Sequence, residues 1–132
     1  MHEADPEPSV PLRVLVVDAD DRVRESLTGL LGIGTQVVVV GSAGQPGPAL
    51  DLAEAATPDV VIVDPRLPEV DGGLAFITGL RARVPSARVL VMSWTEGLEH
   101  SALADRADGF VRKTFRPSEL VAAIMAASRP AA

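Results

Sequence analysis

The sequence predicts an α/β domain built on a doubly wound, five-stranded parallel sheet with helices on both faces. Five short runs of apolar, mostly β-branched residues have the length and composition of buried strands. Segments of helical length separate these runs in strict alternation, with no internal repeat. Alternation with right-handed crossovers makes every strand parallel, so the carboxyl ends of all strands lie along one edge of the sheet.

The first two strand–helix units occupy the first half of the chain. Strands are predicted over 12–17 and 36–40. Asp20 is well placed as the N-cap of the helix that follows the first strand. Helical spacing puts the apolar residues of that helix on one face, namely Val23, Leu27, Leu30 and Leu31. A loop over 41–47 and a second helix over 48–56, opened by a proline, complete this half.

The central strand leads to the residue on which the functional prediction depends. Residues 60–63 are consecutive β-branched residues, typical of a strand buried on both faces, and Asp64 follows at once. An ionised carboxylate is costly to bury without partners, so Asp64 is expected at the edge where the sheet opens to solvent. Two prolines and the Gly72-Gly73 pair predict a rigid loop there. The helix after this loop has Leu74, Ile77, Leu80 and Val84 on one face.

Two further units complete the predicted sheet. The strands are expected over 87–92 and 109–112, where short apolar runs end in polar residues. A weakly amphipathic, alanine-rich helix is predicted over 96–106 between them. The last helix, over 117–127, starts with a proline and places Leu120, Ile124 and also Met125 and Ala127 toward the core.

Length and composition fit one folded domain with short ends. The chain has 132 residues, enough for a single core, and its 47% hydrophobic content argues against a disordered chain. The domain is expected over 12–127. Residues 1–11 are acidic and proline-rich and are expected to form a flexible arm, and 128–132 a tail or the start of a linker.

Charge and cysteine content argue against several classes of function. The net charge of −6 speaks against a nucleic-acid surface on this domain and agrees with an acidic pocket for a cation. The chain has no cysteine, and therefore neither disulfides nor thiolate metal ligands. Without an apolar run of about 20 residues or a signal-like start, it is expected to be a soluble cytoplasmic protein that does not enter a membrane.

Four predicted strands end in side chains of complementary chemistry. These residues are Asp18, Asp64, Ser93 and Lys113, and the topology brings them to one edge of the sheet. Carboxylates bind hard cations such as Mg²⁺, whereas an ammonium and a hydroxyl bind phosphoryl oxygens. The combination indicates phosphoryl transfer with a carboxylate as the covalent acceptor.

The chain resembles the receiver domain of two-component response regulators over about residues 12–127. The matching pieces keep their order: Val16-Val17-Asp18, then Pro58-Asp59-Val-Val-Ile-Val-Asp64 with Leu67-Pro68 and Asp71-Gly72, then Val89-Leu-Val-Met-Ser93, then Ala107-Asp-Gly-Phe-Val-Arg-Lys113. Each piece alone would be weak evidence, and together they are specific. The resemblance implies the flavodoxin-like fold with strand order 2-1-3-4-5.

The resemblance also implies a role for each site residue. Asp64 would accept a phosphoryl group from a sensor histidine kinase or a phosphotransfer protein. Lys113 would pair with the phosphoryl group, and Ser93 would be the switch hydroxyl. Phe110 would be an aromatic rotamer switch. Arg66 and Thr95 would tune dephosphorylation, and Asp18 with Asp64 would bind Mg²⁺.

The sequence departs from the family pattern next to the predicted acceptor. Two acidic residues usually end the first strand, and here Ala19 replaces the second, which is a direct Mg²⁺ ligand in the family. Asp20 or Asp21 could reach in as a substitute, although helix capping is the expected role of Asp20. We therefore expect weakened Mg²⁺ binding. Trp94 stands where the family usually has a small residue and is expected to crowd the mouth of the pocket.

These departures leave a second function open. A pseudo-receiver, acting as a protein-interaction module with weak or no Mg²⁺-dependent phosphorylation, would also fit Ala19, Trp94 and a helix of 96–106 that is about two residues short. In either case we expect a regulatory domain and not an enzyme beyond self-phosphorylation and autodephosphorylation. A homodimer through that helix, the strand of 109–112 and the last helix is a further implication of the resemblance.

Simpler roles stay open for several of these residues. The hydroxyl of Ser93 could have no role other than capping a loop, and Phe110 could be an ordinary core residue. Arg66 and Thr95 also fit solvated surface residues. An FMN-binding flavodoxin would share the fold, but the acidic residues after the first strand would repel phosphate and only 3% of residues are aromatic.

Overall fold

The computed structural model describes residues 10–67, 70–94, 106–113 and 116–129. Most of the predicted arm, all but the last residue of the helix predicted over 96–106, Thr95 and the last three residues lie outside these ranges. Nine elements follow one another within the described residues, five strands and four helices.

The five strands described form one parallel sheet. They are β1 (Leu12–Val17), β2 (Val37–Ala43), β3 (Val60–Val63), β4 (Arg88–Ser93) and β5 (Gly109–Arg112). Their order is β2-β1-β3-β4-β5, and every neighbouring pair is parallel. The predicted doubly wound fold and its strand order are confirmed, and β3, the strand that leads to Asp64, lies at the centre of the sheet.

The four helices described cover both faces of the sheet. They are α1 (Asp21–Leu31), α2 (Pro46–Ala56), α3 (Val70–Arg83) and α4 (Pro117–Ser128). Helices α1 and α4 bury their apolar residues against one face, and α2 and α3 cover the other. The predicted inward residues Leu27, Ile77 and Ile124 are each fully buried. In the part of the chain that the structure describes, no helix is both long and apolar enough to cross a membrane.

Strand β2 is longer than the sequence predicts. It continues to Ala43, through residues expected to form a loop, because an irregularity in its pairing with β1 skips one residue. Val14 pairs with Val39 and Leu15 with Gly41, so Val40 is left out of the register. Helix α2 correspondingly begins two residues earlier than predicted, where Pro46 fits the first turn because that position needs no amide donor.

Helix α3 also begins earlier than predicted. The Gly72-Gly73 pair lies in its first turn and not in a loop. A Cβ atom on Gly73 would overlap the carbonyl oxygen of Pro65, and one on Gly72 would overlap that of Leu67. The two glycines therefore allow α3 to start directly against the backbone that follows Asp64.

Candidate functional site

The structure places four predicted site residues at the carboxyl edge of the sheet. Asp18 and Asp64 directly follow β1 and β3, Ser93 is the last residue of β4, and Lys113 directly follows β5. Their exposed fractions are 3%, 8%, 7% and 6%, which makes them the buried polar residues of the described chain. The backbone amide of Lys113 donates to the carbonyl oxygen of Ser93 at 3.0 Å, which joins the last two strand ends.

Lys113 bridges the two carboxylates. Its Nζ atom lies 2.7 Å from Oδ2 of Asp18 and 2.6 Å from Oδ2 of Asp64. These are short, charge-assisted contacts, and the lysine side chain is only 2% exposed. One positive and two negative charges meet in this buried cluster, which leaves one negative charge without compensation inside it.

The electrostatics of the cluster favour the charged form of Lys113. Burial by itself lowers the pKa of the ammonium, because it removes the charge from water. Hydrogen bonds and charge attraction from Asp18 and Asp64 outweigh that effect, and the pKa of Lys113 is raised above its ordinary value of 10.5. The lysine is therefore a permanent cation in this site at neutral pH.

Asp64 is more buried than the sequence predicts. It lies directly after the carboxyl end of β3, as predicted, but its side chain is only 11% exposed. The low exposure is possible because Lys113 supplies the partner that a buried carboxylate needs. The other carboxylate oxygen, Oδ1, accepts a hydrogen bond of 2.8 Å from the backbone amide of Arg66. Both oxygens are thus oriented, while the Arg66 side chain lies on the surface.

Asp18 is held by the loop between β1 and α1. Its Oδ1 atom accepts a hydrogen bond of 2.9 Å from the amide of Asp20. The guanidinium of Arg24 donates to the Asp18 carbonyl oxygen at 2.6 Å and also pairs with Asp21. Arg24 was not among the predicted site residues, because an arginine in the first turns of a helix gives no sign in the sequence that it reaches back to a strand end.

The acidic residues that follow Asp18 are engaged in other contacts. Oδ1 of Asp20 accepts a hydrogen bond of 2.9 Å from the amide of Arg22, which confirms Asp20 as the N-cap of α1. Asp21 is 80% exposed and pairs with Arg24. Neither contact supports a role as substitute ligand for the acid that Ala19 replaces.

Asp18 and Asp64 are the carboxylates at this edge of the sheet that could bind a metal ion. Within the described residues there is no group of three or more carboxylate, histidine or cysteine ligands. Asp18 and Asp64 nevertheless offer hard oxygen ligands. Protein sites often hold Mg²⁺ through only one or two carboxylates, with waters and phosphate oxygens completing the octahedron. The residues present therefore fit the ion, with less negative charge than three carboxylates would provide.

Trp94 lies beside this cluster and faces solvent. The centroid of its ring is 5.3 Å from Nζ of Lys113, within the range of a cation–π contact, and the residue is 60% exposed. The expectation that Trp94 crowds the mouth of the pocket agrees with this position.

Phe110 is the other aromatic residue predicted near the site. It is partly buried on β5 and packs against the core between the sheet and helices α2 and α3. This position is compatible with plain core packing and with a rotamer switch. Thr95, the second residue predicted to tune dephosphorylation, lies outside the described residues.

Comparisons with known proteins agree with this architecture. A family model described as the response regulator receiver domain matches residues 14–125. Among curated proteins, the DNA-binding transcriptional activator DevR/DosR of Mycobacterium tuberculosis is 36% identical over 116 residues, which are 86% of this chain and 52% of that protein. The nitrate/nitrite response regulator NarL of Escherichia coli K12 is 29% identical over 86% of this chain and 53% of its own length. The chain thus spans about half the length of these relatives.

Solved structures give the same result for the fold. The response regulator domain of Thermotoga maritima CheB superposes with a TM-score of 0.77 at 28% identity, over 92% of this chain and 99% of that one. A LuxR-family two-component response regulator from Aurantimonas sp. SI85-9A1 has a TM-score of 0.77 at 32% identity, covering 89% of this chain and 85% of its own. With the family match over most of the chain, these similarities show that the chain belongs to the response regulator receiver domain family, whose members are regulatory domains of two-component signalling.

Proposed function

We propose that Asp64 accepts a phosphoryl group from a phosphohistidine of a sensor histidine kinase or a phosphotransfer protein. The observation that supports this best is the position of Lys113, whose ammonium lies 2.6 Å from Asp64 Oδ2. A buried cation at this distance can neutralise charge on a phosphoryl oxygen that develops next to the carboxylate.

The transfer is a displacement at phosphorus. A carboxylate oxygen of Asp64 forms a P–O bond as the P–N bond to the donor histidine breaks, and the histidine nitrogen keeps the electron pair. Oδ1 of Asp64 is fixed by the amide of Arg66, which orients the carboxylate for attack. Lys113 neutralises part of the negative charge of the phosphoryl group. The hydroxyl of Ser93 is the group that would donate a hydrogen bond to a phosphoryl oxygen.

Asp18 and Asp64 are the residues that would hold Mg²⁺. When bound, the ion supplies additional positive charge to the phosphoryl oxygens. Ala19 contributes a methyl group where the family has an acid, so we propose that the affinity for Mg²⁺ is lowered and that Lys113 takes a larger share of the charge compensation.

The pseudo-receiver is the second candidate, favoured by Ala19 and by the ring of Trp94 over Lys113. It predicts no durable phosphoryl adduct on the natural chain. We prefer the acceptor function because the acceptor carboxylate, its cation and the orienting amide are all in contact. The domain boundaries of 12–127, a cytoplasmic location, a DNA-binding output domain and a dimer that includes β5 and α4 belong to this proposal as well.

The test is incubation with acetyl phosphate over a series of Mg²⁺ concentrations, followed by intact-mass analysis. We expect an increase by one phosphoryl group that Asp64→Asn abolishes. Asp51→Asn is the matched control, since this carboxylate is 81% exposed and pairs with Arg83 on α3. An absence of the adduct at every Mg²⁺ concentration would favour the pseudo-receiver.

A further inference from the structure

Arg24 joins the end of β1 to the first turn of α1. Its Nη1 atom donates a hydrogen bond of 2.6 Å to the carbonyl oxygen of Asp18, and its Nη2 atom pairs with the carboxylate of Asp21. The arginine side chain is only 19% exposed. A planar guanidinium presents its donors in a fixed geometry, so the two contacts together fix the path of the backbone from Asp18 into the helix.

Gly44 leaves the space that this guanidinium occupies. A Cβ atom at position 44 would lie 2.5 Å from Nη1 and 3.2 Å from Cζ of Arg24, which is too close for the arginine to keep its place. Gly44 directly follows β2, and the preceding carbonyl oxygen, that of Ala43, accepts a hydrogen bond of 3.1 Å from the amide of Asp18. The missing side chain at position 44 is therefore part of the same arrangement around Asp18.

The backbone of Asp18 determines where its carboxylate lies. One carboxylate oxygen accepts a hydrogen bond of 2.9 Å from the amide of Asp20, and the other lies 2.7 Å from Nζ of Lys113. The contact of Arg24 is with the carbonyl oxygen of Asp18, so its effect on the carboxylate passes through the backbone that carries the side chain.

We propose that Arg24 is a positioning residue for Asp18 as a ligand of Mg²⁺, and that this role requires glycine at position 44. The inference rests on the proposed acceptor function, in which Asp18 and Asp64 hold the ion. Because Ala19 replaces the second acid of β1, few charged ligands are present and the orientation of each has a larger effect. Groups that orient a metal ligand typically contribute about 10- to 100-fold to the affinity for the metal.

The charge of Arg24 and its positioning role predict opposite results for its removal. A guanidinium close to a cation site repels the ion, so loss of the charge alone should strengthen Mg²⁺ binding. Loss of the hydrogen bond to Asp18 should weaken it. Mg²⁺ binding to Arg24→Met can be followed by NMR through the amide resonance of Asp20, because this amide donates to the Asp18 carboxylate.

We expect the dissociation constant for Mg²⁺ to rise about tenfold in Arg24→Met. A value equal to that of the natural chain, or lower, would overturn the positioning role. Arg22→Met is the matched control, since it removes the same charge from an exposed position in the same turn of α1. This control should bind Mg²⁺ about as tightly as the natural chain.

Gly44→Ala displaces the guanidinium without removing its charge. It should also weaken Mg²⁺ binding in the natural chain, but it should have no further effect in Arg24→Met, where the clash with the guanidinium no longer exists. An equal loss of affinity in both backgrounds would show that Gly44 does not act through Arg24, and would overturn that part of the proposal. Gly47→Ala is the control, because a Cβ atom there would meet nothing within 4 Å.

Phosphorylation by acetyl phosphate separates positioning from a general effect on folding. In Arg24→Met, the Mg²⁺ concentration that gives half of the maximal rate should rise about tenfold, whereas the rate at saturating Mg²⁺ should stay close to the natural one. A loss of folded protein would instead lower the maximal rate and leave the half-saturating concentration unchanged. That result would overturn the positioning role.

The failure of this inference differs from the failure of the proposed function. An adduct on Asp64 that depends on Mg²⁺ equally in the natural chain and in Arg24→Met would overturn the positioning role and leave the acceptor role intact. If the natural chain forms no adduct but still binds Mg²⁺ more tightly than Arg24→Met, the acceptor role fails and the positioning role is supported. An absence of Mg²⁺ binding by the natural chain would overturn the positioning role together with the metal site.

Discussion

Nζ of Lys113 lies 2.7 Å from Oδ2 of Asp18, although 95 positions separate the two residues in the sequence. The same ammonium is 2.6 Å from Oδ2 of Asp64. One cation therefore joins the ends of three strands, β1, β3 and β5. The stability of this edge of the sheet and the proposed chemistry of Asp64 depend on the same group.

Replacing Lys113 by methionine should destabilise the fold. The change keeps an unbranched side chain of similar length but leaves two carboxylates buried without their cation. Breaking a buried ion pair from one side typically costs about 3 to 5 kcal/mol of unfolding free energy. Equilibrium unfolding in urea measures the difference. Arg83→Met is the control, since that arginine is 43% exposed and pairs with exposed acids. Loss of such a surface ion pair should lower the unfolding free energy by only about 0 to 1 kcal/mol.

A double-mutant cycle identifies the cause of this loss. If carboxylate repulsion is responsible, Asp64→Asn should destabilise the Lys113→Met background less than the natural chain, or even stabilise it. A loss in Lys113→Met no larger than that in Arg83→Met would show that the ion cluster contributes little to stability.

The raised pKa of Lys113 predicts a loss of stability at alkaline pH. In the unfolded chain a lysine has a pKa of about 10.4, and in the folded chain the carboxylates raise the pKa of Lys113 above 10.5. Between these two values the folded state binds more protons, so the unfolding free energy falls as pH rises. The contribution of Lys113 is thus complete below about pH 10 and is lost as pH rises through the folded pKa.

The measurement is the difference in unfolding free energy between the natural chain and Lys113→Met across this pH range. We expect a constant difference from about pH 7 to pH 9 and a smaller one above about pH 10.5. Alkaline pH also acts on groups other than Lys113, but these effects are common to both chains and cancel in the difference. The remaining pH dependence of the unfolding free energy therefore comes from Lys113. A difference that grows with pH would contradict the raised pKa.

The strand pattern and the strand-end residues were predictable because both depend on local sequence and general topology. Apolar β-branched runs identify buried strands, and parallel strands bring residues such as Asp64 and Ser93 to one edge. The N-cap role of Asp20 was likewise predictable from the sequence, since it depends on a local contact with the amide of Arg22.

Features that depend on contacts between distant segments were not predictable. The irregular pairing of β2 is set by its register with β1, and it converts Gly41 from a loop residue into a strand residue. The burial of Asp64 follows from a lysine in a different strand unit. The contact between Arg24 and the Asp18 carbonyl requires a helix orientation that composition does not encode.

Restoring the missing acid with Ala19→Asp should raise the affinity for Mg²⁺ by about tenfold or more. A third carboxylate near Asp18 adds a charged hard ligand, and tenfold corresponds to only about 1.4 kcal/mol, well within the attraction between close opposite charges. The Mg²⁺ titration can follow the fluorescence of Trp94, the single tryptophan of the chain. Ala19→Asn controls for side-chain size without adding charge.

The same variant also tests the two candidate functions. If Ala19 has made the natural site degenerate, the rate of phosphorylation by acetyl phosphate should be much higher in Ala19→Asp than in the natural chain. If Asp64 of the natural chain is already phosphorylated efficiently and the variant reacts at the same rate, the pseudo-receiver is excluded. Ala19→Asp should also be less stable than the natural chain without Mg²⁺, because it adds another negative charge to an already negative cluster.

Replacing Gly73 by alanine should destabilise the domain and disturb the backbone after Asp64. The added Cβ atom would overlap the carbonyl oxygen of Pro65, which belongs to the backbone and cannot rotate away. Overpacking of this kind typically costs about 1 to 3 kcal/mol.

Gly29→Ala is the matched control within α1, because its Cβ atom would meet nothing within 4 Å. In an exposed helix position this change should stabilise the fold by about 0.5 to 1 kcal/mol. Urea unfolding of both variants should therefore give changes of opposite sign, and the same sign in both would show that α3 can move away from Pro65 at little cost.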